Sequence, residues 1–355
     1  MNLKKYRLFG GRIVKTGIAV FLTALICQWL NLPAVFAVIT AIVTIEPTAV
    51  DSIRKGLVRF PASAIGAGFA LLFTYLLGDV PITYAFAAVA TILLTHKLRL
   101  DDGMLVATLT AIAMIPTTQD HYVASYVTRL GTTSIGLIVS SLVNFLVMPP
   151  HYSNKISTNL NSLFVQTGDL FQKRMQSVLL ENTRNPTTER LFQRIRKEID
   201  RTEILCHYQR EEWKFHRHSK AELKFFQSKQ QKLLILRQIL YHVGNLVYLE
   251  EKNILWSEKQ HSLIQKASSS LAETLMNPSV SFTSEHYSLM RKIAEEFWHL
   301  NSPQYQQKPS EYTSLFSPEA VILYELLSIQ ELIEELEQTK SPTEITIPAH
   351  QAIHK

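Results

Sequence analysis

Two stretches of this chain superimpose without a gap after a shift of 70 residues: LNLPAVFAVITAIVTIEPTAVDSIRKGLVRFPASAIGAGFALLFTYLLG at Leu30–Gly78 and LDDGMLVATLTAIAMIPTTQDHYVASYVTRLGTTSIGLIVSSLVNFLVM at Leu100–Met148. Leu30, Ala37, Thr40, Ala41, Ile42, Ile45, Thr48, Arg59, Ile65, Gly66, Leu72 and Leu76 fall on identical residues at Leu100, Ala107, Thr110, Ala111, Ile112, Ile115, Thr118, Arg129, Ile135, Gly136, Leu142 and Leu146. Shared apolar composition supplies some of these identities. It does not supply the paired Arg-x5-Ile-Gly signature at Arg59–Gly66 and Arg129–Gly136. Each copy holds three membrane-length segments. An odd number of crossings turns the second copy upside down, and inverted repeats are an architecture of transporters.

A bilayer core of about 30 Å takes roughly 20 helical residues. The predicted segments are Ile13–Leu30, Ala34–Ile45, Phe60–Leu77, Val80–Thr95, Met104–Ile115 and Leu130–Met148, the second and fifth being short. A secretory-signal reading of Lys4, Lys5 and Arg7 with a small-residue site near Ala37 is set aside, because the mature start would be apolar and is the repeat partner of the fifth segment. Arg12, Lys15, Arg54, Lys55, Arg59, Lys97 and Arg99 fall on one set of flanks, and the alternate loops lack Lys and Arg. Positive charge marks the cytoplasmic side, so a multi-pass cell-membrane protein with both termini inside is expected. Trp29, Tyr75, Tyr84, Tyr122 and Tyr126 at the opposite ends suit an interfacial aromatic belt.

Charge divides the chain. Residues 1–150 hold 11 Lys/Arg and 6 Asp/Glu, which leaves 25 and 24 of the totals 36 and 30 for the remainder. The basic excess therefore belongs to the apolar half and reads as topology, with no nucleic acid implied. Two cysteines, Cys27 and Cys206, make neither a disulfide framework nor a CxxC pair. The expected architecture is all-α: a six-helix transmembrane domain at 1–150 made of two inverted three-helix repeats, a cytoplasmic helical bundle at 151–340, and a disordered tail at 341–355.

Pro149-Pro150 ends the sixth segment. Beyond it, predicted helices are Ser153–Glu181, Thr187–Ser219, Ala221–Glu251, Ser257–Met276, Ser284–Asn301 and Pro318–Thr339. In the last, Ile322, Leu326, Ile329, Ile333 and Leu336 form a seam surrounded by Glu325, Glu331, Glu334, Glu335 and Glu337, expected to pack inside its own bundle. Cys206, His207, Glu211, His216 and His218 are conceivable metal ligands, but the polar run around them reads as a solvated helix face, and neither a metal nor a cofactor is expected. Arg190, Arg194, Arg196, Lys197 and Arg201 interleave with acids and read as helix-surface ion pairs. No Walker A loop, GxGxxG, HExxH or GxSxG occurs, and no enzyme activity is expected.

Transporter sites lie where membrane helices are interrupted at corresponding places in the two repeats. Here the breaks are Glu46-Pro47-Thr48 and Pro116-Thr117-Thr118. Glu46 is the only acid inside an apolar run. It faces a cavity, pairs with a base, is protonated, or sits wet at the interface where the segment ends. Arg59 and Arg129 are expected to begin the third helix of each repeat. Arg59 suits an inside anchor. Arg129 runs against the charge trend, as a contact for an anionic substrate, for Asp120 or for a lipid phosphate. Gly66, Gly68 and Gly136 are expected to permit close helix packing.

The run Ile39-Thr40-Ala41-Ile42-Val43-Thr44-Ile45-Glu46-Pro47-Thr48, then Ser52-Ile53-Arg54-Lys55-Gly56, Arg59…Ile65-Gly66 and Arg129…Ile135-Gly136 closing at Pro149, resembles the aromatic acid exporter and fusaric-acid-resistance-like membrane proteins, in particular a Firmicutes branch near 350 residues long. The resemblance covers essentially the whole chain. It implies efflux of aromatic carboxylic acids or similar amphipathic compounds, and it carries over no agreed catalytic residues. Larger relatives hold two membrane halves, which implies a homo-oligomer here. The expectation is thus a proton-coupled efflux protein for organic anions in the lipid bilayer; the alternative is a non-transporting scaffold or sensor whose helical domain binds a protein partner.

Overall fold

A computed structural model describes residues 11–117, 122–147, 150–180, 186–215, 218–249, 254, 256–278, 281–300 and 317–339. Lys4, Lys5, Arg7, Thr118, Asp120, Pro149, His216 and the tail at 341–355 lie outside the described residues. Among the described residues there are twelve α-helices and no strand. The chain forms two compact units, Met1–His151 with Tyr208–Arg217, and Tyr152–His207 with His218–Lys355.

The first unit holds α1 (Gly11–Trp29), α2 (Ala34–Thr44), α3 (Ala49–Leu77), α4 (Pro81–Lys97), α5 (Asp101–Met114) and α6 (Tyr122–Leu146), with a 3-10 turn at Ile115–Thr117 after α5. By length and composition α1, α3 and α6 are able to cross a membrane, and α2 is a shorter apolar helix. At 1.5 Å per residue α2 and α5 reach roughly 16 and 21 Å, less than a bilayer core. Two boundaries differ from the sequence expectation. α3 and α6 start earlier, at Ala49 and Tyr122, so Arg59 and Arg129 lie well inside their helices and do not begin them. Hydropathy hides these first turns because polar residues such as Asp51, Arg54 and Lys55 stand in them.

Small residues fill the interior of this unit. Ala37, Ala41, Ala62, Ala67, Ala70, Ala107 and Ala111 are fully buried, whereas Phe21 is 65% and Leu57 73% exposed. Small side chains let backbones approach, and large apolar ones face outward where lipid would be. Several buried hydroxyls are satisfied within their own helices: Thr44 donates to the Thr40 carbonyl at 2.7 Å, Thr91 to Ala87 at 2.6 Å, and Ser140 to Gly136 at 2.6 Å.

The main helix contacts exchange between the two copies: α3 packs on α5, and α6 on α2. At the crossing, a Cβ on Gly66 would lie 2.1 Å from the Ala107 carbonyl oxygen, and one on Gly136 would lie 2.4 Å from that of Ala37. Gly66 and Gly136, and Ala37 and Ala107, are each 70 positions apart. Gly68, in contrast, has nothing within 4 Å of its Cβ position, so the packing role expected of it is not present.

The second unit holds α7 (Ser153–Leu179), α8 (Pro186–Glu212, whose last turn counts with the first unit), α9 (Lys220–Tyr248), α10 (Glu258–Met276), α11 (Ser284–Leu300) and α12 (Pro318–Gln338). Its core is made of large side chains, among them Phe171, Leu236, Ile239, Leu271 and Ile329. Helix starts follow from capping chemistry. Ser219 with Glu222, and Ser257 with Gln260, form capping boxes, and Ser317 caps α12 ahead of Pro318. The α12 seam Ile322, Leu326, Ile329, Ile333 and Leu336 is buried, and the helix packs against α9, α10 and α11. Glu325 departs from the expected charged surround: it is buried and accepts from His242 Nδ1 at 2.6 Å and Asn245 Nδ2 at 2.8 Å. Cys206, expected on a solvated face, is also buried.

Candidate functional site

The break between α2 and α3 is held by a polar cluster. Pro47 cannot continue a helix, so carbonyls at the end of α2 lose their partners. Ser52 Oγ donates to the Thr44 carbonyl at 2.8 Å and accepts from the Glu46 amide at 3.1 Å. Asn144 Nδ2 lies 3.1 Å from the carbonyls of both Glu46 and Thr48, and 2.7 Å from Ser52 Oγ. Lys15 Nζ in turn donates to Asn144 Oδ1 at 2.8 Å. Thr48 is the N-cap of α3, accepting from the Asp51 amide at 3.0 Å. Glu212 accepts from the Ala49 amide at 2.7 Å, a carboxylate at the positive end of α3. Lys15 stood out in the sequence only as a flanking charge; Asn144 was hidden because one polar residue does not disturb the hydropathy of an apolar run, and Glu212 because it stands among other charges.

Glu46 pairs with bases. Its Oε1 accepts from Arg59 Nη2 at 2.8 Å, and its Oε2 lies 3.3 Å from Lys55 Nζ. Arg59 also donates from Nη1 to the Val43 carbonyl at 3.1 Å and from Nε to that of Asp102 at 3.3 Å. The guanidinium thus sits between the carboxyl end of α2 and the amino end of α5, fully engaged.

Arg129 is different. It is 5% exposed. Nη2 donates to Thr110 Oγ1 at 2.5 Å, and the guanidinium carbon lies 4.0 Å from the centroid of the Phe36 ring. Among the described residues Nε and Nη1 have no hydrogen-bond partner and no carboxylate pairs with the guanidinium. A buried cation left without an anion is costly by several kcal/mol, and a buried unsatisfied donor in a native fold asks for a reason. Arg129 lines a cavity of about 250 Å³ with Phe36, Met114, Thr117, Ser125 and Thr128. The lining includes one cation, one aromatic face, one thioether and, with Thr132, four hydroxyls. Such a set has the chemistry to receive a small anion with an apolar body.

Phe36 is near the amino end of α2 and Met114 is the last residue of α5. The two arginines therefore lie toward opposite ends of the α2 and α5 pair. The structure places Glu46 and Arg59 in one cluster, Thr117 and Arg129 in the other. Pro47 and Pro116 act through the backbone, Pro116 inside the 3-10 turn. Phe36 was missed by sequence reasoning, since an aromatic residue in an apolar helix carries no mark of its role. Among the described residues no group of three or more His, Cys, Asp or Glu is placed to hold a metal ion.

An apolar bundle of small-residue helices, two of them interrupted, around a cavity with a buried cation defines a class of membrane protein. Residues 7–148 match the family model described as aromatic acid exporter family member 1. A UPF0421 protein of Bacillus cereus is 43% identical over 337 residues, 95% of each chain. One from Oceanobacillus iheyensis is 41% identical, covering 94% of this chain and 96% of its own, and one from Staphylococcus aureus is 35% identical, covering 94% and 99%. The chain belongs to the UPF0421 family of membrane proteins, and its apolar half matches the aromatic acid exporter family model.

Proposed function

We propose that the protein is an efflux transporter of aromatic carboxylic acids or related organic anions, acting without chemical change to its cargo. The observation that carries this reading is the buried Arg129 guanidinium, with two donor nitrogens unpaired in a cavity walled by Phe36 and Met114. A carboxylate would accept from Nε and Nη1, and the aromatic body would rest in the apolar part of the cavity. The volume, about 250 Å³, is below that of sites for drug-sized ligands and suits a one-ring acid.

The proposed frame is six membrane helices in two inverted repeats, with both termini cytoplasmic. It draws support from the exchanged contacts of Gly66 with Ala107 and Gly136 with Ala37. In this frame α2 and α5 are half-length helices whose ends frame the path, as in transporters built from broken helices. Glu46 is the proposed proton carrier of a proton-coupled cycle, and a homodimer in the bilayer the proposed working unit. The test is thermal unfolding of the full chain in detergent with benzoate against benzamide. Benzoate is expected to raise the midpoint and its neutral amide to leave it unchanged. Equal shifts from both, or none from a panel of aromatic acids, would count against an anion site.

A further inference from the structure

The two arginines stand in equivalent positions of the repeat, yet their surroundings are in opposite states. Around Arg59, Lys55, Val58, Ala62 and Gly103 close in. Lys55 meets Glu46, and a Cβ on Gly103 would lie 2.6 Å from Ala62 Cβ and 3.1 Å from the Val58 carbonyl oxygen. Seventy residues away, Ser125, Thr128, Thr132 and Pro33 are the counterparts of these four, and all four line the open cavity at Arg129. Positions that wall a cavity in one copy therefore stand in close contact in the other. What fills the closed copy is the Glu46 carboxylate, 2.8 Å from Arg59. Its counterpart by position is Pro116, which has no charge to offer Arg129.

We infer that Arg59 is a second, latent anion site, and that Glu46 is its tethered occupant. The inference rests on the reading of Arg129 as an anion site and extends it: the carboxylate held at Arg59 shows how a carboxylate sits on this kind of arginine. An anion arriving at Arg59 must displace Glu46 from it, and Glu46 must return once the anion leaves. The latent site has a second cation, Lys55, where the open site has Ser125. Arg59 with Lys55 therefore accepts a carboxylate more strongly than Arg129 alone, once Glu46 is gone. An intramolecular carboxylate competes at high effective concentration, which keeps the site closed in the resting protein.

The test is benzoate binding by calorimetry to the full chain in nanodiscs. The wild type is expected to bind at one site and R129A at none. E46A is expected to bind at two, and R129A/E46A at one. Adding R59A to that double variant is expected to weaken binding by at least about tenfold. A double variant R129A/E46A that does not bind, or whose binding survives R59A, overturns the inference. The wild type against R129A reads the Arg129 site alone, and the double variant reads Arg59 alone, so the two readings fail separately. Where E46A is poorly folded, E46Q serves with a thermal readout. Benzoate is expected to raise the unfolding midpoint of R129A/E46Q and not that of R129A/E46Q/R59A. No shift in the former, with the protein folded, would overturn the inference equally.

Discussion

Arg59 and Arg129 show how one residue type in one repeat position acquires two roles. Arg59 has Glu46, two backbone carbonyls and Lys55 nearby; Arg129 has one threonine and an aromatic ring. Opposite stabilities follow. Arg59→Ala leaves Glu46 without its closest base and is expected to cost about 3 kcal/mol in chemical or thermal unfolding. Arg129→Ala removes a buried cation that no described carboxylate pairs with and is expected to leave stability unchanged or raised, while lowering benzoate affinity at least about tenfold. A loss of stability in Arg129→Ala as large as in Arg59→Ala would mean that Arg129 has a fixed partner. Much of this was legible beforehand, because the 70-residue shift puts Arg59 on Arg129 and Glu46 on Pro116. The pairing of Glu46 with Arg59 was one of several open alternatives. Spacing along the chain does not say which groups meet across a helix break, and Phe36 carried no signal at all.

At the scale of elements, the crossings of α3 with α5 and of α6 with α2 depend on the absence of a side chain at two positions. Gly66→Ala would drive a methyl into the Ala107 backbone, and Gly136→Ala into that of Ala37, each expected to cost about 2 kcal/mol. Gly68→Ala meets nothing within 4 Å and is the control, expected to be neutral within about 0.5 kcal/mol. Equal losses at Gly66 and Gly68 would contradict the exchanged packing. The repeat made Gly66 and Gly136 visible as a pair and named no partner for either. Equivalence under a shift is not contact, and the exchange between copies is a tertiary fact. The early starts of α3 and α6 were hidden for a different reason: polar residues sit in helical turns that hydropathy alone reads as loops. In α12, Glu325 looked like solvated charge because its partners, His242 and Asn245, lie on another helix.

At the scale of the molecule, the two units are held by different physics, small residues in one and large apolar side chains in the other. The second should respond to acid through His286. Its ring stacks on Phe282 at 3.8 Å and meets Ser270 Oγ at 2.8 Å, and burial holds its pKa below the ordinary 6.5, against the opposing pull of Glu334 and Glu337. The unfolded chain then takes up a proton near pH 6.5 while the folded one does not, so stability falls as pH drops through that value and levels off below the folded pKa. Unfolding of the full chain is expected to show this loss, and His286→Phe to diminish it; an identical pH profile in the variant would exclude His286 as its source. Division of the chain into an apolar helical part and a charged helical part was legible from composition. The grouping of Tyr208–Arg217 with the first unit was not, since it depends on where a helix end comes to rest.

The proposed activity of the membrane unit is transport of organic anions that Arg129 receives. Its most direct test is uptake or release of radiolabelled benzoate by proteoliposomes, with and without a proton gradient, for the wild type and Arg129→Ala. The expected result is protein-dependent flux that the gradient accelerates and that falls at least about tenfold in the variant. Folded wild-type protein that moves no aromatic acid across a broad panel, or flux that Arg129→Ala leaves intact, would contradict it.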